Sequence, residues 1–555
     1  SFRDVHPLDD IPTASFDNGN PYRILIGSFG VKETFDDTTA LLTPARTYDV
    51  LSNAPTGGVY FNFGKYSIQV REQIALNHGV DPSDNGAPEM IDPQAEYSIT
   101  VFNVENLYDY RDDPFDGCDF YGNSGCPGVF PPFNYVPLSD SIYQARLREI
   151  AQQIIGDLHT PDILMVQEAE DQDICTVTAG SFNCDSVNNA DGKPDTLQEL
   201  AVVIANLGGP SYDAAYDRDG ADDRGIVSGY LYRTDRVELL PPMAGDPVLG
   251  SDPQIYYPDS DALPYNTDVQ NPKALNAVLP GYVTGNTDGD NVFTRPPQVA
   301  LFRIWRDSVG MSVFQDVYLS NNHFSSGPDN RVGQRTEQAA YNAAIVDALL
   351  AVNSMVYAGV GGDLNVYPRP DDPFPTPNES DQLAALYNIP LLNLWDIMVS
   401  ENPVNAYSYV YQGQTQTLDQ IFLTPSWSSN LTQATMAHIN ADFPQDYPSA
   451  SEGPRGTSDH DPVFSAYSLF PTLQRLEDLV MYYDAMGMIM GNNTTRILLS
   501  HLEKADRFQQ NGMQDAYTSQ LQAFIAHVYD FTPYFAKQEV ADYLSNEATL
   551  LLALT

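Results

Sequence analysis

Six short polar motifs hold most of the side chains that could do chemistry in this chain of 555 residues. They cover residues 103–107, 167–168, 322–324, 362–365, 418–421 and 458–462. Their chemistry-bearing side chains are carboxylates, amides and imidazoles rather than a Lys or Ser nucleophile. Oxygen ligands of this kind suit Mg²⁺, Mn²⁺ or Ca²⁺, and two imidazoles beside several carboxylates suit proton transfer around a phosphate ester.

Each motif has a plainer interpretation when it is taken singly. Asn103 after a strand is usually a turn residue, Glu168 is compatible with a solvated loop, and a lone His323 is usually a satisfied core histidine. The Gly-Asp-Leu-Asn run at 362–365 also makes turns. The run at 458–462 is stronger, because three polar side chains directly precede an apolar strand. Together the ordered set favours a metal-assisted hydrolase.

Alternating strands and helices between about 97 and 470 would position these motifs. Alternation and apolar runs predict a strand at 97–102, a helix at 141–158 and a buried strand at 163–166. Further strands are predicted at 229–232, 313–320, 357–361 and 418–423, and a further helix at 335–352. Since the motifs lie at strand ends, we expect them to meet at one edge of an α/β fold.

The two flanks of this α/β region differ from it in pattern. Residues 1–92 predict β structure, with a strand at 22–26 and a hairpin at 59–70, followed by a linker rich in Asp, Pro and Asn. After Pro471, three apolar faces at helical spacing predict a small helical bundle. We therefore divide the chain into domains at 1–92, 93–470 and 471–555.

The charge of the chain is strongly negative, with 74 Asp and Glu against 27 Lys and Arg and a net charge of −47. Such a surface repels nucleic acids and anionic membranes at long range, which excludes a non-specific nucleic-acid coat protein. It does not exclude a nuclease, because salt screens exposed charges beyond about 10 Å. No run approaches 18 apolar residues, so we expect no membrane span. The chain starts at Ser1 without a leader, which indicates a removed leader or an excised fragment.

The four cysteines form two close pairs, Cys118 with Cys126 and Cys175 with Cys184. Each pair would close a short loop in a segment rich in Gly, Asp and Asn, which favours two local disulfides and an oxidising compartment. A zinc site is the alternative, but the chain has no CxxC motif and no histidine lies close to these cysteines in sequence.

Three acidic loops that contain glycine resemble calcium-binding loops, although none fits the twelve-residue EF-hand pattern. We expect structural Ca²⁺ at one or more of them, and solvated turns are the alternative. Their candidate ligands are Asp191, Asp195, Asp217, Asp219, Asp288 and Asp290.

The ordered motifs resemble the endonuclease/exonuclease/phosphatase superfamily, whose fold is that of deoxyribonuclease I, over about 97–470. Several segments resemble its bacterial extracellular nuclease branch, and these are 103–107, 161–168, 217–225, 232–233, 295–297, 322–326, 362–373, 418–424 and 456–463. The resemblance implies a four-layer α/β/β/α sandwich. Residues 1–76 resemble the end of an oligonucleotide-binding-like (OB-like) β domain, and residues 471–555 resemble a helical appendage of bacterial extracellular proteins.

The same resemblance implies a role for each polar residue of the motifs. Asn103, Glu168 and Asp459 would line a Mg²⁺ or Mn²⁺ site. Asp363 and Asn365 would contact the scissile phosphate and its water, with Asp363 also reaching a metal.

The resemblance also implies an acid, a base and phosphate contacts. His460, oriented by Asp419, would be the general base or a phosphate contact, and His323 would protonate the leaving oxygen. Arg224 and Arg295 would face the phosphate.

Two residues depart from the pattern of the branch. Ser325 stands where a basic residue often follows the Asn-His-Phe triplet, and Arg455 is displaced from its usual place beside the serines. Both changes reduce the positive charge near the phosphate path, which leaves substrate identity open.

Three functions remain open at the level of sequence. The first is a secreted bacterial phosphodiesterase that acts on DNA and RNA without sugar specificity. The second is the same chemistry on another ester, as in a phosphatase or a sphingomyelinase-like phospholipid phosphodiesterase, because one fold hosts many functions. The third, a non-catalytic surface protein, is disfavoured because the set of site residues is intact. We expect a monomer, with nucleic acid as substrate and a helical C-terminal domain available to an unknown partner.

Overall fold

The computed structural model describes residues 24–553 with gaps. The gaps are 33, 35–41, 63–64, 110–136, 138, 171–175, 179–180, 184–195, 218–219, 221–225, 257–265, 277–291, 307–308, 310–313, 328–330, 369–381, 390, 412, 446, 448–452, 470–472, 486 and 492.

Short strands form the N-terminal segment. They are β1 (Leu25–Gly27), β2 (Val50–Leu51), β3 (Gly57–Asn62), β4 (Lys65–Val70) and β5 (Leu76–Asn77). Strands β3 and β4 pair antiparallel, which confirms the predicted hairpin, and β1 pairs parallel with β4. Strands β2 and β5 form a separate two-stranded sheet.

Strands and helices alternate through the next part of the chain. In its first half they are β6 (Glu96–Leu107), α1 (Asp140–Gly156), β7 (Ile163–Glu170), β8 (Thr176–Thr178), β9 (Ser181–Asn183), α2 (Thr196–Asn206), β10 (Tyr212–Ala215), β11 (Ile226–Arg233), β12 (Val237–Leu239), β13 (Lys273–Ala274) and β14 (Gln298–Trp305). In its second half they are β15 (Phe314–His323), α3 (Val332–Val352), β16 (Ala358–Asp363), α4 (Ala384–Asn388), β17 (Leu392–Asn393), α5 (Leu394–Glu401), β18 (Tyr409–Tyr411), β19 (Gln414–Gln416), β20 (Asp419–Leu423), α6 (Pro425–Ser428), β21 (Leu431–Met436) and β22 (Val463–Ser468). The predicted mixed α/β character of this region is confirmed.

Two large sheets organise this region. The first has the strand order β10-β11-β7-β6-β22-β21, and the second has the order β12-β14-β15-β16-β20-β17, with β13 beside β14. Both sheets mix parallel and antiparallel neighbours: β6 and β7 run parallel, as do β15 and β16, whereas β16 and β20 run antiparallel.

Alternation along the strands divides the apolar side chains between two cores. Ile163 and Met165 of β7 share a buried cluster with Phe302 and Leu319 of the second sheet. Leu164 and Val166 point the other way, as alternate residues of a strand must, and pack with helices. That helix-packed cluster includes Leu147 and Ile154 of α1 and Leu200 and Ile204 of α2.

The outer side of the second sheet is covered in the same manner. Ile345 and Leu349 of α3 share a buried cluster with Leu301, Val360 and Phe422 of the second sheet. Each large sheet therefore packs on the other sheet through one face and on helices through the other.

Polar side chains also join the two sheets. Asn321 on β15 accepts a hydrogen bond from Gln167 on β7 at 2.5 Å, and it donates to the carbonyls of Val166 and Gly229 at 3.0 and 2.7 Å. These residues are buried, so the bonds form where water does not compete. They fix the strand ends that carry Glu168 and His323 relative to each other.

Four helices follow β22 along the chain, namely α7 (Leu473–Ala485), α8 (Thr494–Gln510), α9 (Gln514–Asp530) and α10 (Gln538–Ala553). The apolar faces predicted from sequence share one buried cluster, which includes Leu476, Leu498, Leu502, Leu521 and Phe524. Among the helices of the described residues, none is both long and apolar enough to cross a lipid bilayer.

Candidate active site

The register of the second sheet places three polar residues side by side. His323 at the end of β15 pairs with Asp363 at the end of β16, and Asp363 pairs with Asp419 at the start of β20. All three side chains are buried. Residues that are 40 or more positions apart in sequence thus become neighbours across three adjacent strands.

Gly362 permits the close approach of β16 to β15 beside Asp363. Its φ of 135° is a backbone conformation that side chains disfavour, and an added Cβ would lie 1.9 Å from the carbonyl oxygen of Asn322. No other residue fits there without moving the strand that ends in His323.

The first sheet contributes Asn103 and Glu168 through an irregular pair of strands. The register between β6 and β7 shifts after Asn103, and Glu105, Asn106 and Glu168 have positive φ angles of 53°, 49° and 65°. Such conformations cost about 1–3 kcal/mol each in non-glycine residues and cluster at functional sites. The distortion brings the amide of Asn106 within 2.8 Å of Glu168 Oε2, which fixes that carboxylate.

Asn103 links carboxylates of the two sheets. Its Nδ2 donates to Asp363 Oδ2 at 3.1 Å and to Glu168 Oε1 at 3.3 Å, while its Oδ1 accepts from the amide of Glu105 at 2.9 Å. Its side-chain oxygen is therefore directed to the backbone, whereas the sequence interpretation assigned it to a metal. Asn103 thus joins the two carboxylates, and its role as a metal ligand stays a prediction.

The loop before β22 supplies His460 and Asp459. Ser458 Oγ donates to the carbonyl of Asn103 at 2.7 Å and accepts from the amide of His460 at 3.1 Å. Nδ1 of His460 lies 2.7 Å from Asp419 Oδ2, so the Nε2 side of the ring turns toward the remaining carboxylates. The loop is thereby fixed both to the first sheet and to the second.

These side chains converge on one oxygen, Asp363 Oδ2. Nε2 of His323 lies 3.5 Å from it and 3.6 Å from Glu168 Oε1. Nε2 of His460 lies 3.8 Å from the same Asp363 oxygen and 3.8 Å from Asp459 Oδ1. The structure thus brings together residues from five of the motifs, which the sequence analysis placed in one site.

Burial and mutual repulsion shift the protonation of the carboxylates. Burial, reinforced by Asp419 and Glu168, raises the pKa of Asp363 to about 7, although His460 opposes this. Burial and the charge of Asp459 likewise raise the pKa of Glu105 to about 7. The pKa of Asp459 is also raised by burial. The ionised site therefore holds more negative charge than its own cations balance.

The pKa of the His460 imidazole is also raised, but by the neighbouring charges and against the effect of burial. Burial alone would lower its pKa, but the carboxylates of Asp419, Asp459 and Asp363 more than offset this and raise the pKa well above its ordinary value. A divalent cation among these carboxylates would weaken their hold on the imidazole proton.

The donor set fits a divalent cation. Ligand atoms of Glu168, His323 and Asp363 lie within 4.8 Å of one another, and those of Asp363, Asp419 and His460 form a second such group. Carboxylate oxygens with one or two imidazoles suit Mg²⁺ or Mn²⁺. Burial and neighbouring carboxylates raise the pKa of Asp363 and of Glu105, and a divalent cation bound nearby would oppose this shift.

Three residues of the site were missed from sequence. Glu105 lies two positions after Asn103 within its motif, and this proximity was an available signal. Arg146 on α1 donates to the carbonyls of Val104 and Glu105, and burial lowers its pKa. The ring of Tyr409 lies 4.8 Å from that of His460, and its hydroxyl bonds to Asp459. No local pattern identifies Arg146 or Tyr409.

Two of the predicted phosphate contacts, Arg295 and Asn365, bond to Phe324, the residue after His323. Arg295 is buried, and its Nη2 donates to the carbonyl of Phe324 at 3.3 Å. Nδ2 of Asn365 donates to the same carbonyl at 3.1 Å, and its amide nitrogen donates to Asp363 Oδ1 at 2.9 Å. Their roles toward a phosphate remain predictions.

The two residues that depart from the nuclease branch have structural partners. Arg455 forms an ion pair with Asp157 at 3.1 Å. Ser325 is buried, and its Oγ accepts from Gln338 Nε2 at 3.1 Å. Neither position presents a free positive charge to the site.

Most of the predicted calcium ligands and all four cysteines fall outside the described residues. Asp217 is described, and its Oδ2 accepts hydrogen bonds from the amide of Ala274 at 2.8 Å and from Asn266 at 3.1 Å. That oxygen is held by donors of the chain itself. Residues outside the described part are Arg224, Asp191, Asp195, Asp219, Asp288, Asp290, Cys118, Cys126, Cys175 and Cys184.

Comparison with known proteins gives matches among solved structures alone. No protein-family model and no curated protein match the chain. An endonuclease/exonuclease/phosphatase family protein from Bacteroides thetaiotaomicron is 14% identical, with a TM-score of 0.34, over 67% of this chain and 97% of its own.

Two further solved structures cover similar shares. The catalytic domain of human Nocturnin with bound sulfate is 12% identical, with a TM-score of 0.33, over 70% of this chain and 98% of its own. A mannosyl-6-phosphatase from Bacteroides thetaiotaomicron is 15% identical, with a TM-score of 0.34, over 66% of this chain and 98% of its own.

Proposed function

We propose that this chain is a divalent-metal-dependent phosphoric ester hydrolase of the endonuclease/exonuclease/phosphatase superfamily, and that it hydrolyses phosphodiesters of DNA and RNA. The observation that carries the proposal is the convergence of two imidazoles and the amide of Asn103 on Asp363 Oδ2. The carboxylates of Glu168 and Asp459 lie beside the same two imidazoles. Acid–base pairs beside an oxygen-rich cation site are the chemistry that phosphate ester hydrolysis requires.

Different residues of the site act as base, acid and metal ligands in the proposed reaction. His460 receives a proton from the attacking water at Nε2, because Asp419 occupies its Nδ1 and stabilises the imidazolium that forms. His323 donates a proton from Nε2 to the leaving oxygen. Glu168, Asp363 and Asp459 would hold Mg²⁺ or Mn²⁺, which supplies the positive charge that polarises the phosphorus ester.

A second candidate is hydrolysis of a smaller phosphate ester or a phospholipid headgroup. The specific observation that favours it is the engagement of nearby cations by the protein: Arg146 bonds to carbonyls, Arg295 bonds to the carbonyl of Phe324, and Arg455 pairs with Asp157. A polyanion gains most from free cations along its path. A net charge of −47 adds to this disadvantage.

A substrate panel separates the two candidates. Purified protein is incubated with plasmid DNA, RNA, sphingomyelin vesicles, p-nitrophenyl phosphate and bis(p-nitrophenyl) phosphate, with Mg²⁺, Mn²⁺ or EDTA. We expect cleavage of DNA and RNA with metal and none with EDTA, and the His460→Ala variant shows that the cleavage belongs to this site. Hydrolysis of the lipid or the monoester with intact nucleic acids rejects the nuclease and supports the second candidate.

The proposal extends to the organisation of the protein. We propose a four-layer α/β/β/α sandwich at 93–470, because each large sheet packs on the other sheet and on helices. A partial OB-like β domain and a linker at 1–92 precede it, and a helical domain at 471–555 follows. The chain acts as a secreted bacterial monomer stabilised by two disulfides and structural Ca²⁺. Light scattering after gel filtration tests the monomer, and thermal unfolding with Ca²⁺ tests the ion.

A further inference from the structure

A second buried charged cluster, outside the proposed reaction, lies behind the loop that carries His460. Nδ1 of His438 lies 2.9 Å from Asp461 Oδ2 and 3.2 Å from Asp442 Oδ2, and its Nε2 lies 3.1 Å from the carbonyl oxygen of Asn405. His438, Asp442 and Asp461 are at most 3% exposed. We call these three residues the His438 cluster.

The His438 cluster is satisfied by the protein's own groups. Burial would lower the pKa of His438, but its hydrogen bonds to Asp442 and Asp461 more than offset this and raise the pKa to about 10. Both ring nitrogens of the resulting imidazolium are donors, and each faces an acceptor. The second oxygen of Asp461 accepts from the amides of Asn440 and Ala441 at 2.8 and 3.0 Å. The cluster is therefore an ion triad that binds two chain segments together.

The segment that carries His438 is bonded to the backbone of His460 and of Pro462. Nδ2 of Asn440 donates to the carbonyl of His460 at 3.1 Å. The amide of Ala437 donates to the carbonyl of Pro462 at 2.9 Å, and the amide of Asp461 donates to the carbonyl of Ser408 at 2.7 Å. Movement of the His438 cluster would therefore shift the backbone that sets the orientation of the His460 ring.

The N-terminal segment reaches the same cluster. The amide of Thr47 donates to the carbonyl of Asp442 at 2.9 Å. The hydroxyl of Tyr407 donates to the carboxylate of Asp442 at 3.0 Å, and its ring lies 4.2 Å from that of His438. Arg46, beside Thr47, forms ion pairs with Asp49 and Asp81, which hold the turn in place.

We propose that His438 is a positioning residue for His460. The turn around Thr47 supports the same loop through its hydrogen bond to Asp442, and we call the His438 cluster together with this turn the brace. The kinetic part of this inference rests on the proposed function, and its structural part does not. Among the described residues, no contact joins the side chains of the His438 cluster to those of His323, Asp363 or His460, so its effect on catalysis acts through the backbone of the His460 loop. Misplacement of a catalytic group by about 1 Å can cost about a hundredfold in rate.

The test uses His438→Gln and Tyr407→Phe in the full chain. We expect kcat toward the substrate found in the panel to fall about 10- to 100-fold in His438→Gln, with KM within about twofold because no substrate contact is lost. Amide hydrogen exchange should accelerate at Asn440, Ala441 and Asp461 and at Thr47. Tyr407→Phe, which removes one hydroxyl, should show the same pattern to a smaller extent.

A control separates positioning from general loss of stability. Leu521→Ala removes a buried side chain of the C-terminal helices and lowers the unfolding temperature, but it should leave kcat unchanged. A fall in kcat of His438→Gln no larger than that of Leu521→Ala overturns the proposal. If His438→Gln does not fold, Tyr407→Phe decides by the same two measurements.

The exchange measurement also distinguishes failure of the two proposals. If the wild-type chain hydrolyses no phosphate ester, the proposed function fails, and exchange at Asp461 alone decides whether the brace exists. Unchanged exchange at Asp461 in both variants overturns the brace even if the enzyme is active.

Discussion

Asp419 Oδ2 lies 2.7 Å from Nδ1 of His460, and both side chains are buried. The pair joins the first residue of β20 to a loop that is 41 positions further along the chain. Because the carboxylate occupies Nδ1, the other ring nitrogen is left toward Asp363 and Asp459. The orientation of the proposed base is therefore set before any substrate binds.

Replacing Asp419 by Asn should lower kcat by about 10²-fold or more, within the usual range for acid–base groups. The neutral amide keeps the shape of the side chain but does not stabilise an imidazolium. Steady-state hydrolysis of bis(p-nitrophenyl) phosphate measures the effect. Asp316→Asn, which removes a carboxylate that pairs with Arg303 on β14, is the matched control and should keep wild-type kcat. A folded Asp419→Asn variant with wild-type kcat would contradict the assignment.

Replacing Glu168 by Gln should weaken Mn²⁺ binding at least about tenfold, since even residues that only support metal ligands change affinity by this amount. Titration calorimetry with Mn²⁺ on protein treated with EDTA measures the affinity. Glu170→Gln is the matched control on the same strand, because Glu170 accepts the amide of Asp109 rather than facing the site. Equal Mn²⁺ affinity in Glu168→Gln and wild type would remove Glu168 from the ligand set.

Metal-free protein should lose stability as pH rises from about 4 to about 7. Asp363 and Glu105 have ordinary pKa values of 3.8 and 4.5, and both are raised to about 7 in the folded protein. The folded state then holds protons that the unfolded state has released, so the free energy of unfolding falls across this window. Urea unfolding at several pH values measures the slope.

Saturating Mn²⁺ should reduce that slope, because the cation replaces the protons as the compensating charge. Asp363→Asn should reduce the slope without metal, whereas Leu521→Ala, which removes no titratable group, should leave it unchanged. An identical slope in Asp363→Asn and wild type would show that Asp363 does not titrate in this range.

The free energy of unfolding should also fall as pH rises into the alkaline range, because His438 loses its proton. The pKa of His438 is raised from 6.5 to about 10, so its stabilising contribution is complete below about pH 6.5 and is lost as pH rises through 10. In His438→Gln, the free energy of unfolding should depend less on pH between about 6.5 and 10 than it does in wild type. Leu521→Ala, which removes a buried side chain that does not titrate, should keep the wild-type slope. Equal slopes in wild type and His438→Gln would contradict the charged state of His438.

A non-reducing peptide map should show Cys118 joined to Cys126 and Cys175 joined to Cys184. The close spacing of each pair closes short loops, and this pairing is expected in an oxidising compartment. Free thiols or crossed pairs would contradict both the pairing and the secreted location.

The local pattern of apolar residues was sufficient to predict helices and strands with a clear period. The apolar repeat of α1 and the alternation of the β3–β4 hairpin were both predicted, and both are present. Strand β14 was missed, because almost every residue of Gln298–Trp305 is buried and no alternation marks it. Helix α2 was missed as well.

The sequence by itself determined which side chains end the strands, and therefore the candidate residues Glu168, His323 and Asp363. Only the tertiary structure decided that Arg146 and Tyr409 adjoin the site and that the His438 cluster contacts the loop that carries His460. The physical reason is the separation along the chain between the residues that interact. Strand and helix periods are set by neighbours a few positions apart, whereas these contacts depend on sheet order and register, which bring together groups that are far apart along the chain.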